Sequence, residues 1–363
     1  MERTRLTCDK GGVLSADVET ESMQIGIVGY QGSGKSTLFQ WLTGVPPDPA
    51  LAHRGQSAMC PIPEPRVAEL ETIYRPKKRT LASLEIVDTP GLSRSHEGSA
   101  GKLAAIRESA SLVIVVASFG GHDPRQDLAS FRDDLLIADL DIVTRRLERL
   151  AEQIKKPRPN RDELVAEQKT LQKVREMLEK GEDLTQQSLH PEEEKRIRSF
   201  QLFALKPQLI VINTDDDEEA PERLEGLVPP GVTGHVIPLR LQCELQDMEP
   251  DEREAFCAEL GLAPADKDRL VRDMMHVSGQ ILFFTAGEKE VRTWLIRRGG
   301  TAVEAAGNIH TDLARGFIRA EVMRADDLIR LGSERAVKAE NLWRQEPRDY
   351  TIEEGDILLI RHN

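Results

Sequence analysis

Residues 29–37 of this chain read GYQGSGKST. It matches the phosphate-loop pattern GxxxxGK followed by Ser or Thr, with the required residue types at Gly29, Gly34, Lys35 and Ser36. The loop follows the apolar run MQIGIV, which predicts a buried strand, and it precedes a predicted helix. A strand, a glycine-rich loop and a helix in this order form a cradle for phosphate groups. The sequence therefore predicts a P-loop domain that binds a nucleoside triphosphate.

The residues of this loop have separate chemical roles. Glycines let backbone N–H groups point at the phosphates, Lys35 brings a positive charge to the β and γ oxygens, and the Ser36 hydroxyl is a ligand for Mg²⁺. Mg²⁺ and either ATP or GTP are therefore the expected cofactor and ligand. The residues that we expect to bind them from the loop are Gly32, Ser33, Gly34, Lys35, Ser36 and Thr37.

A second motif, DTPG at residues 88–91, ends the apolar run LEIV. Asp88 is placed to hold Mg²⁺ through water, and the N–H of Gly91 is placed to sense the γ-phosphate. The pattern DxxG alone is typical of an ordinary turn. Downstream of a phosphate loop it indicates a GTPase-like switch protein and not a P-loop kinase.

The group that activates water is harder to assign. Leu92 stands where Ras-like switches have a water-orienting glutamine, and a leucine side chain cannot polarise water. Hydrolysis is then expected to be slow or to use another group. His122, in the loop FGGHDP, is one candidate, and a solvated loop histidine is the alternative interpretation. Arg94 and His96 are interpreted as solvated side chains.

Base recognition is expected where the run QLIVI ends, at residues 213–216, which read NTDD. Asn213 and Asp216 match the Asn-Lys-x-Asp pattern of guanine readers, but Thr214 replaces the lysine. An Asp216 carboxylate suits guanine, whereas loss of the lysine lowers guanine selectivity. A solvated acidic loop is the alternative.

The remaining pattern predicts an α/β architecture. The continuous apolar runs at 84–88, 112–117 and 208–213 suit buried parallel strands of a doubly wound sheet. Between the last two, apolar residues at alternating spacings of three and four predict an antiparallel coiled-coil hairpin, interrupted by KKPRPN. This hairpin either packs on the sheet or forms an arm that contacts a partner. From Ser278 a small mixed sheet predicts a third, separate domain.

These features predict five segments: a tail at 1–22, a P-loop domain at 23–139 and 201–277, a helical insertion at 140–200, and a C-terminal domain at 278–363. The net charge of −13 disfavours DNA as a partner. No apolar run is long enough to cross a bilayer, and no signal peptide begins the sequence. The scattered cysteines, Cys8, Cys60, Cys243 and Cys257, favour free thiols in the cytoplasm.

The chain resembles the YchF family, also called the Obg-like ATPases. The resemblance is most specific in FFTAGEKEVRTWLIRRGGTAVEAAGNIHTDLARGFIRAEVMRADDLI, which is similar to the family's TGS domain, and it extends to PIPEPRVAEL, RPKK and DLDIVTRRLERL. It implies a P-loop GTPase-like domain, an inserted coiled-coil arm and a C-terminal β-grasp (TGS) domain. It also implies hydrolysis of ATP in preference to GTP, ribosome-linked or stress-related roles, and a hydrophobic residue in place of the catalytic glutamine, as at Leu92.

The sequence departs from the family pattern at several positions. Gly32 and Ser33 stand where the family usually has Asn and Val, and Ala52 stands where it has a Mg²⁺-sensing threonine. Asp216 replaces a glutamate, and the segments after Leu92 and around His122 are shorter than in the family. The departures indicate a divergent member with an intact binding apparatus.

Two functions remain open from the sequence. One is a slow Mg²⁺-dependent NTPase that acts as a molecular switch, with ATP slightly favoured over GTP. The other is a nucleotide-binding regulatory module that signals through its coiled coil and TGS domain without turnover. Either would have the ribosome or ribosomal RNA as its partner. Basic residues of the C-terminal domain suit RNA contact or a solvated surface equally: Arg292, Arg297, Arg298, Arg315 and Arg319.

Overall fold

The computed structural model describes residues 23–95, 99–157, 159–181, 189–216, 224, 226–260 and 264–363. The predicted tail at 1–22, with Cys8, and His96 lie outside the described residues. Among the helices of the described part, none is both long and apolar enough to span a membrane.

The strands follow one another along the chain as β1 (Ile25–Val28), β2 (Gln56–Pro61), β3 (Lys78–Thr80), β4 (Ser83–Asp88), β5 (Ser111–Ser118), β6 (Gln208–Thr214), β7 (Thr233–Ile237), β8 (Gln280–Ala286), β9 (Glu290–Arg297), β10 (Phe317–Arg324), β11 (Arg344–Glu346) and β12 (Asp356–His362). The α-helices are α1 (Lys35–Thr43), α2 (Arg66–Tyr74), α3 (Ser99–Arg107), α4 (Pro124–Ile154), α5 (Arg161–Glu179), α6 (Pro191–Ile197), α7 (Leu239–Asp247), α8 (Pro250–Leu260), α9 (Lys267–Val277), α10 (Ala302–Ile309), α11 (Thr311–Arg315), α12 (Ala325–Leu331) and α13 (Glu334–Ala339).

The first sheet has the strand order β2-β4-β1-β5-β6-β7. All neighbouring strands in it are parallel except β2, which runs antiparallel to β4. Strand β1 lies between β4 and β5, with Ile27 opposite Asp88 and Val28 opposite Ile114. The loop that follows β1 therefore opens at the carboxyl edge of the sheet, where doubly wound folds bind their ligands.

Strand β2 lies in the Pro- and Gly-rich stretch 44–65 and has no apolar run that would predict a strand. The strand alternates half-buried and exposed residues and ends at Pro61. An edge strand needs only one partner and only one buried face, so it lacks a continuous apolar run.

Helices α4 and α5 form the predicted antiparallel hairpin. Its seam consists of buried apolar side chains that include Val143, Leu147, Leu150, Leu164, Leu171, Val174 and Leu178. Leu140 and Ile154 pack against this cluster and are partly buried. Helix α4 begins well before residue 140, because Asp123 caps its first turn by accepting hydrogen bonds from the N–H groups of Arg125 and Gln126.

The second sheet has the order β11-β10-β12-β8-β9-β3. Its edge strand β3 belongs to the first third of the chain and runs parallel to β9, so this sheet includes a strand from outside residues 278–363. Helix α2 also joins it, since Val67 and Leu70 pack in one buried cluster with Phe284 and Val291. A three-residue strand of sequence KRT has no apolar signal, which is why the pattern did not reveal this pairing.

Candidate nucleotide-binding site

The phosphate loop has backbone conformations that only glycine adopts without strain. Gly29 has φ 147° and Gly34 has φ 99°. A Cβ on Gly34 would lie 2.2 Å from Nδ2 of Asn213, and one on Gly29 would lie 2.4 Å from the carbonyl oxygen of Val115. Both glycines are therefore required by conformation and by close approach. The loop ends where α1 begins at Lys35, so the N-terminus of that helix opens onto the loop.

The Lys35 ammonium lies between the phosphate loop and the DTPG motif. Its Nζ donates a hydrogen bond to the carbonyl of Tyr30 at 2.8 Å, and the residue is 6% exposed. A Cβ on Gly91 would lie 2.7 Å from this Nζ. Burial lowers the pKa of Lys35 to about 8, and the carboxylate of Asp88 opposes that shift. The Lys35 ammonium, predicted to bind phosphate, and Gly91, predicted to sense the γ-phosphate, therefore lie next to each other.

Ser36 and Asp88 form the predicted metal-binding pair. The Ser36 hydroxyl donates to Oδ2 of Asp88 at 2.6 Å. The other oxygen, Oδ1, is buried and has no hydrogen-bond partner among the described residues. Burial raises the pKa of Asp88, against the stabilising effects of the Ser36 hydroxyl and the Lys35 ammonium. A hydroxyl beside a carboxylate with a spare oxygen is a donor set that suits Mg²⁺.

The side chain of Leu92 lies in the hydrophobic core and not at the mouth of the loop. It is 1% exposed and packs in a cluster with Ile106 and Phe131. Its backbone instead holds the phosphate loop, because its N–H donates to Gly29 at 3.1 Å and its carbonyl accepts from the N–H of Gln31 at 2.9 Å. A leucine fits this position because its side chain is buried among apolar residues. The same burial excludes the side chain from contact with a solvated γ-phosphate.

Gln31 is a polar residue of the site that the sequence interpretation passed over. It is exposed, and its Cγ would lie 3.1 Å from a Cβ built on Gly91. The signal was available in the sequence, because a carboxamide stands inside the phosphate loop of a chain that lacks the usual switch glutamine.

Arg94 is exposed, in agreement with its interpretation as a solvated side chain, and it also makes specific contacts. Its Nε and Nη2 donate to the two carboxylate oxygens of Asp127 at 3.1 and 2.5 Å. The guanidinium lies 5.0 Å from the ring centroid of Tyr30, and Nη1 lies 3.5 Å from the carbonyl oxygen of Gln31. The hydrogen bond to Asp127 raises the pKa of Arg94. Pattern reading missed these contacts because they join three distant segments.

His122 lies in the loop between β5 and α4, as predicted. Its side chain is 37% exposed, and Nδ1 is 3.9 Å from the carboxylate of Asp127. Asp127 therefore lies near His122 as well as Arg94, and Arg94 in turn lies next to the phosphate loop. The structure brings His122 to the edge of the site.

Asn213 braces the phosphate loop. Its Nδ2 donates to the carbonyl of Ser33 at 3.1 Å, and its Oδ1 accepts from the N–H of Leu239 at 3.1 Å. Asn213 is 6% exposed and the adjacent Thr214 is also buried. The asparagine thus fixes the loop against the start of α7, and its position at the end of β6 is the one expected for a residue of the base site.

Asp216 forms an ion pair at the surface. It accepts hydrogen bonds from Nε and Nη2 of Arg240 at 3.0 and 2.6 Å. Arg240 is 78% exposed. The carboxylate that would read guanine is therefore already engaged, by a residue that sequence reasoning did not identify.

The other predicted positions are on the surface or in the first helix. Gly32 is exposed, and Thr37 lies in the first turn of α1. Ala52 is exposed in the segment between α1 and β2. Within the described part of the chain, no group of three or more His, Cys, Asp or Glu side chains is arranged as a further metal site.

Two family models match separate parts of the chain. The family model described as a 50S ribosome-binding GTPase matches residues 24–158. The model of the YchF GTPase C-terminal family, described as a protein of unknown function, matches residues 280–363. Obg-like ATPase 1 of Oryza sativa subsp. japonica is 33% identical over 366 residues, covering 94% of this chain and 92% of that protein. The chain belongs to the YchF family of Obg-like ATPases.

Other members are similar over the same length. Ribosome-binding ATPase YchF of Haemophilus influenzae is 31% identical, covering 93% of this chain and 98% of that protein. The solved structure of the Schizosaccharomyces pombe YchF GTPase has a TM-score of 0.80 and 26% identity, covering 94% of this chain and 98% of the other. The P-loop GTPase-like fold with a C-terminal TGS-type domain is thereby confirmed, and so is membership of a family of nucleotide-binding proteins.

Proposed function

We propose that this YchF-family chain is a slow Mg²⁺-dependent NTPase that acts as a molecular switch, with ATP slightly favoured over GTP. The observation that carries the proposal is the convergence of Lys35 and Gly91 beside the Ser36–Asp88 pair. A buried ammonium, a backbone N–H and a metal-binding carboxylate in one place stabilise the charge that develops on a transferred phosphoryl group.

In this proposal the backbone N–H groups of residues 32–37 bind the phosphates, and Lys35 lies at the β and γ oxygens. Ser36 and Asp88 would hold Mg²⁺, which when bound neutralises charge on those oxygens. Gly91 senses the γ-phosphate through its N–H. Because Lys102 donates to the carbonyl of Gly91 at 2.9 Å, loss of the γ-phosphate would be transmitted toward α3.

The base site supports a slight preference for ATP, because Thr214 replaces the lysine of guanine readers and its short side chain cannot cover a guanine base. Asp216 is paired with Arg240 at the surface and must exchange that partner before it can bind guanine. Asn213, Thr214 and Asp216 remain our proposed base-side residues. The relatives from Oryza sativa and Haemophilus influenzae are named ATPases, which agrees with this direction, while the Schizosaccharomyces pombe relative is named a GTPase.

A second candidate is the nucleotide-binding regulatory module without turnover. Two observations favour it: the side chain of Leu92 is buried, and Ala52 supplies no hydroxyl from the segment between α1 and β2. In that case the nucleotide would act as a ligand that sets the conformation of the helical hairpin and the TGS domain.

We propose the ribosome as the partner and the cytoplasm as the location. The relative from Haemophilus influenzae is named a ribosome-binding ATPase. The hairpin α4–α5 and the TGS domain are the proposed contact surfaces. Two of the five arginines named above already contact other side chains of the TGS domain: Arg292 stacks on Trp294, and Arg319 lies 3.7 Å from Glu321.

Co-sedimentation with ribosomes in the ATP-bound and ADP-bound states tests the ribosome as partner. Absence of binding in both states would contradict it.

Single-turnover hydrolysis of MgATP separates the two functions. The NTPase proposal expects phosphate release from the native chain and a rate at least about tenfold lower for Lys35→Ala, because the γ-phosphate charge loses its partner. Nucleotide binding with no phosphate release that depends on Lys35 would favour the regulatory module.

A further inference from the structure

Hydrolysis of a nucleoside triphosphate needs a group that orients water at the γ-phosphorus. The water oxygen forms a bond to phosphorus while the bond to the β–γ bridging oxygen breaks, and that oxygen leaves with its electron pair on the diphosphate. One proton of the water stays on the inorganic phosphate and the other passes to solvent. A carboxamide suits the orienting role, because its oxygen accepts from water while its amide group donates.

The segment that follows the DTPG motif does not supply this group from Leu92. Leu92 is apolar, and its side chain is buried in the core while its backbone is hydrogen-bonded to the phosphate loop. A polar side chain at the same position would be buried in an apolar cluster, at a desolvation cost. A water-orienting group must therefore come from another segment.

The structure points to Gln31. We infer that its carboxamide orients the attacking water, an inference that rests on the hydrolysis proposed above. A Cβ built on Gly91 would lie 2.7 Å from Nζ of Lys35 and 3.1 Å from Cγ of Gln31. The glutamine side chain therefore passes beside Gly91, the proposed γ-phosphate sensor, and Nζ of Lys35 lies next to the same glycine. Its carboxamide lies beyond Cγ.

The carboxamide is available, and the backbone that carries it is fixed. Gln31 is exposed, and its side chain makes no hydrogen bond to another described residue. Its N–H donates to the carbonyl of Leu92 at 2.9 Å. Its own carbonyl faces Nη1 of Arg94 at 3.5 Å, and Asp127 holds that guanidinium. The hydrogen bond to Leu92 thus holds the backbone of Gln31 in place, which reduces the conformational entropy lost when the side chain binds water.

His122 is the rival group. Its ring lies 3.9 Å from Asp127 and is partly exposed, and Arg94 binds the same carboxylate on the side that faces the phosphate loop. Gln31 by contrast belongs to the phosphate loop itself. If Gln31 orients the water, Gln31→Ala slows hydrolysis and His122→Ala does not. If His122 orients it, the reverse holds.

The test compares Gln31→Ala with His122→Ala, using single-turnover hydrolysis of MgATP and equilibrium binding of a non-hydrolysable ATP analogue. Gln172→Ala is the matched control, because Gln172 is an exposed glutamine on α5. For Gln31→Ala we expect a rate constant at least about tenfold lower, with analogue affinity within about threefold of the native value. ADP with aluminium fluoride, which mimics the transferred phosphoryl group, should bind more weakly to this variant by a similar factor.

The outcomes separate this inference from the proposed function. If the native chain hydrolyses ATP in a Lys35-dependent way but Gln31→Ala does so at the native rate, the role of Gln31 is overturned and the NTPase proposal stands. A parallel loss of analogue binding and rate would also overturn it, since Gln31 would then bind the substrate. Absence of Lys35-dependent turnover in the native chain would refute both proposals.

Discussion

Asn213 and Ser33 are 180 residues apart in the sequence and are joined by a hydrogen bond of 3.1 Å from the amide Nδ2 to the backbone carbonyl. The same side chain accepts from the N–H of Leu239, so one buried amide connects the phosphate loop, strand β6 and helix α7. The end of β6 thereby helps to set the conformation of the loop that holds the phosphates.

Replacement of Asn213 by alanine should weaken both folding and binding. The variant leaves a buried carbonyl and a buried N–H without their partner, at a cost of about 1–3 kcal/mol in the free energy of unfolding. Nucleotide affinity should fall by about tenfold because the loop loses its brace. Asn308→Ala is the control, since the exposed Asn308 also donates to a carbonyl, that of Leu295, but lies far along the chain in the TGS domain. Equal effects of the two variants on nucleotide affinity would contradict the bracing role.

Arg107 connects helix α3 to the root of the hairpin. Its Nη1 donates to Asp139 at 2.7 Å, and Asp139 is fully buried. Arg107→Ala should lower the free energy of unfolding by about 3–5 kcal/mol, because it leaves a buried carboxylate without its charge partner. The control is Arg145→Ala on α4, the helix that carries Asp139. Arg145 and Asp141 are both exposed there, and the expected loss is at most about 0.5 kcal/mol. Urea denaturation measures both. Similar losses of unfolding free energy in the two variants would contradict a larger contribution from the buried ion pair.

Lys206 makes stability depend on pH at alkaline values. It is 7% exposed, its Nζ donates to the carbonyl of Ser109, and burial lowers the pKa of Lys206 to about 8 from a usual 10.5. Between these values the unfolded chain binds more protons than the folded one, so this residue makes the fold more stable as pH rises. The stability of the native chain relative to Lys206→Met should therefore increase by on the order of 1–3 kcal/mol between about pH 7 and about pH 10. A constant difference in urea denaturation across that range would contradict the shifted pKa.

Asp216 should matter for GTP more than for ATP. Its ion pair with Arg240 is exposed, and exposed ion pairs contribute little, so the carboxylate can exchange the arginine for a guanine base. Asp216→Ala should lower GTP affinity by about fivefold or more and change ATP affinity by about twofold or less. Glu244→Ala, which removes the other carboxylate near Arg240, serves as the control. Equal losses for both nucleotides would remove Asp216 from base selection.

The phosphate loop and the DTPG motif could be predicted from the sequence because their chemistry requires particular residue types at fixed spacings. Lys35, Ser36, Asp88 and Gly91 therefore lie together as expected. The hairpin seam was equally predictable, since its apolar spacing is long and regular.

Other parts of the site depend on contacts between distant segments, which spacing does not encode. The ion pair of Arg94 with Asp127 and that of Asp216 with Arg240 each join residues from different elements. Strand β3 pairs with β9 through backbone hydrogen bonds, and such pairing leaves little trace in a short polar strand. The buried orientation of Leu92 also follows from its backbone contacts with Gly29 and Gln31, not from its residue type.

The proposed function requires that residues 29–37 bind a Mg²⁺–nucleotide through Lys35. Isothermal titration of the native chain and of Lys35→Ala with ATP, in the presence of Mg²⁺, tests it most directly. We predict saturable binding to the native chain and an affinity lower by at least about tenfold in the variant. The reason is that the phosphates lose their contact with the buried ammonium beside Gly91. Thermal unfolding of both proteins without nucleotide confirms that the variant is folded. No binding to the native chain, or equal affinities for the two proteins, would contradict the claim.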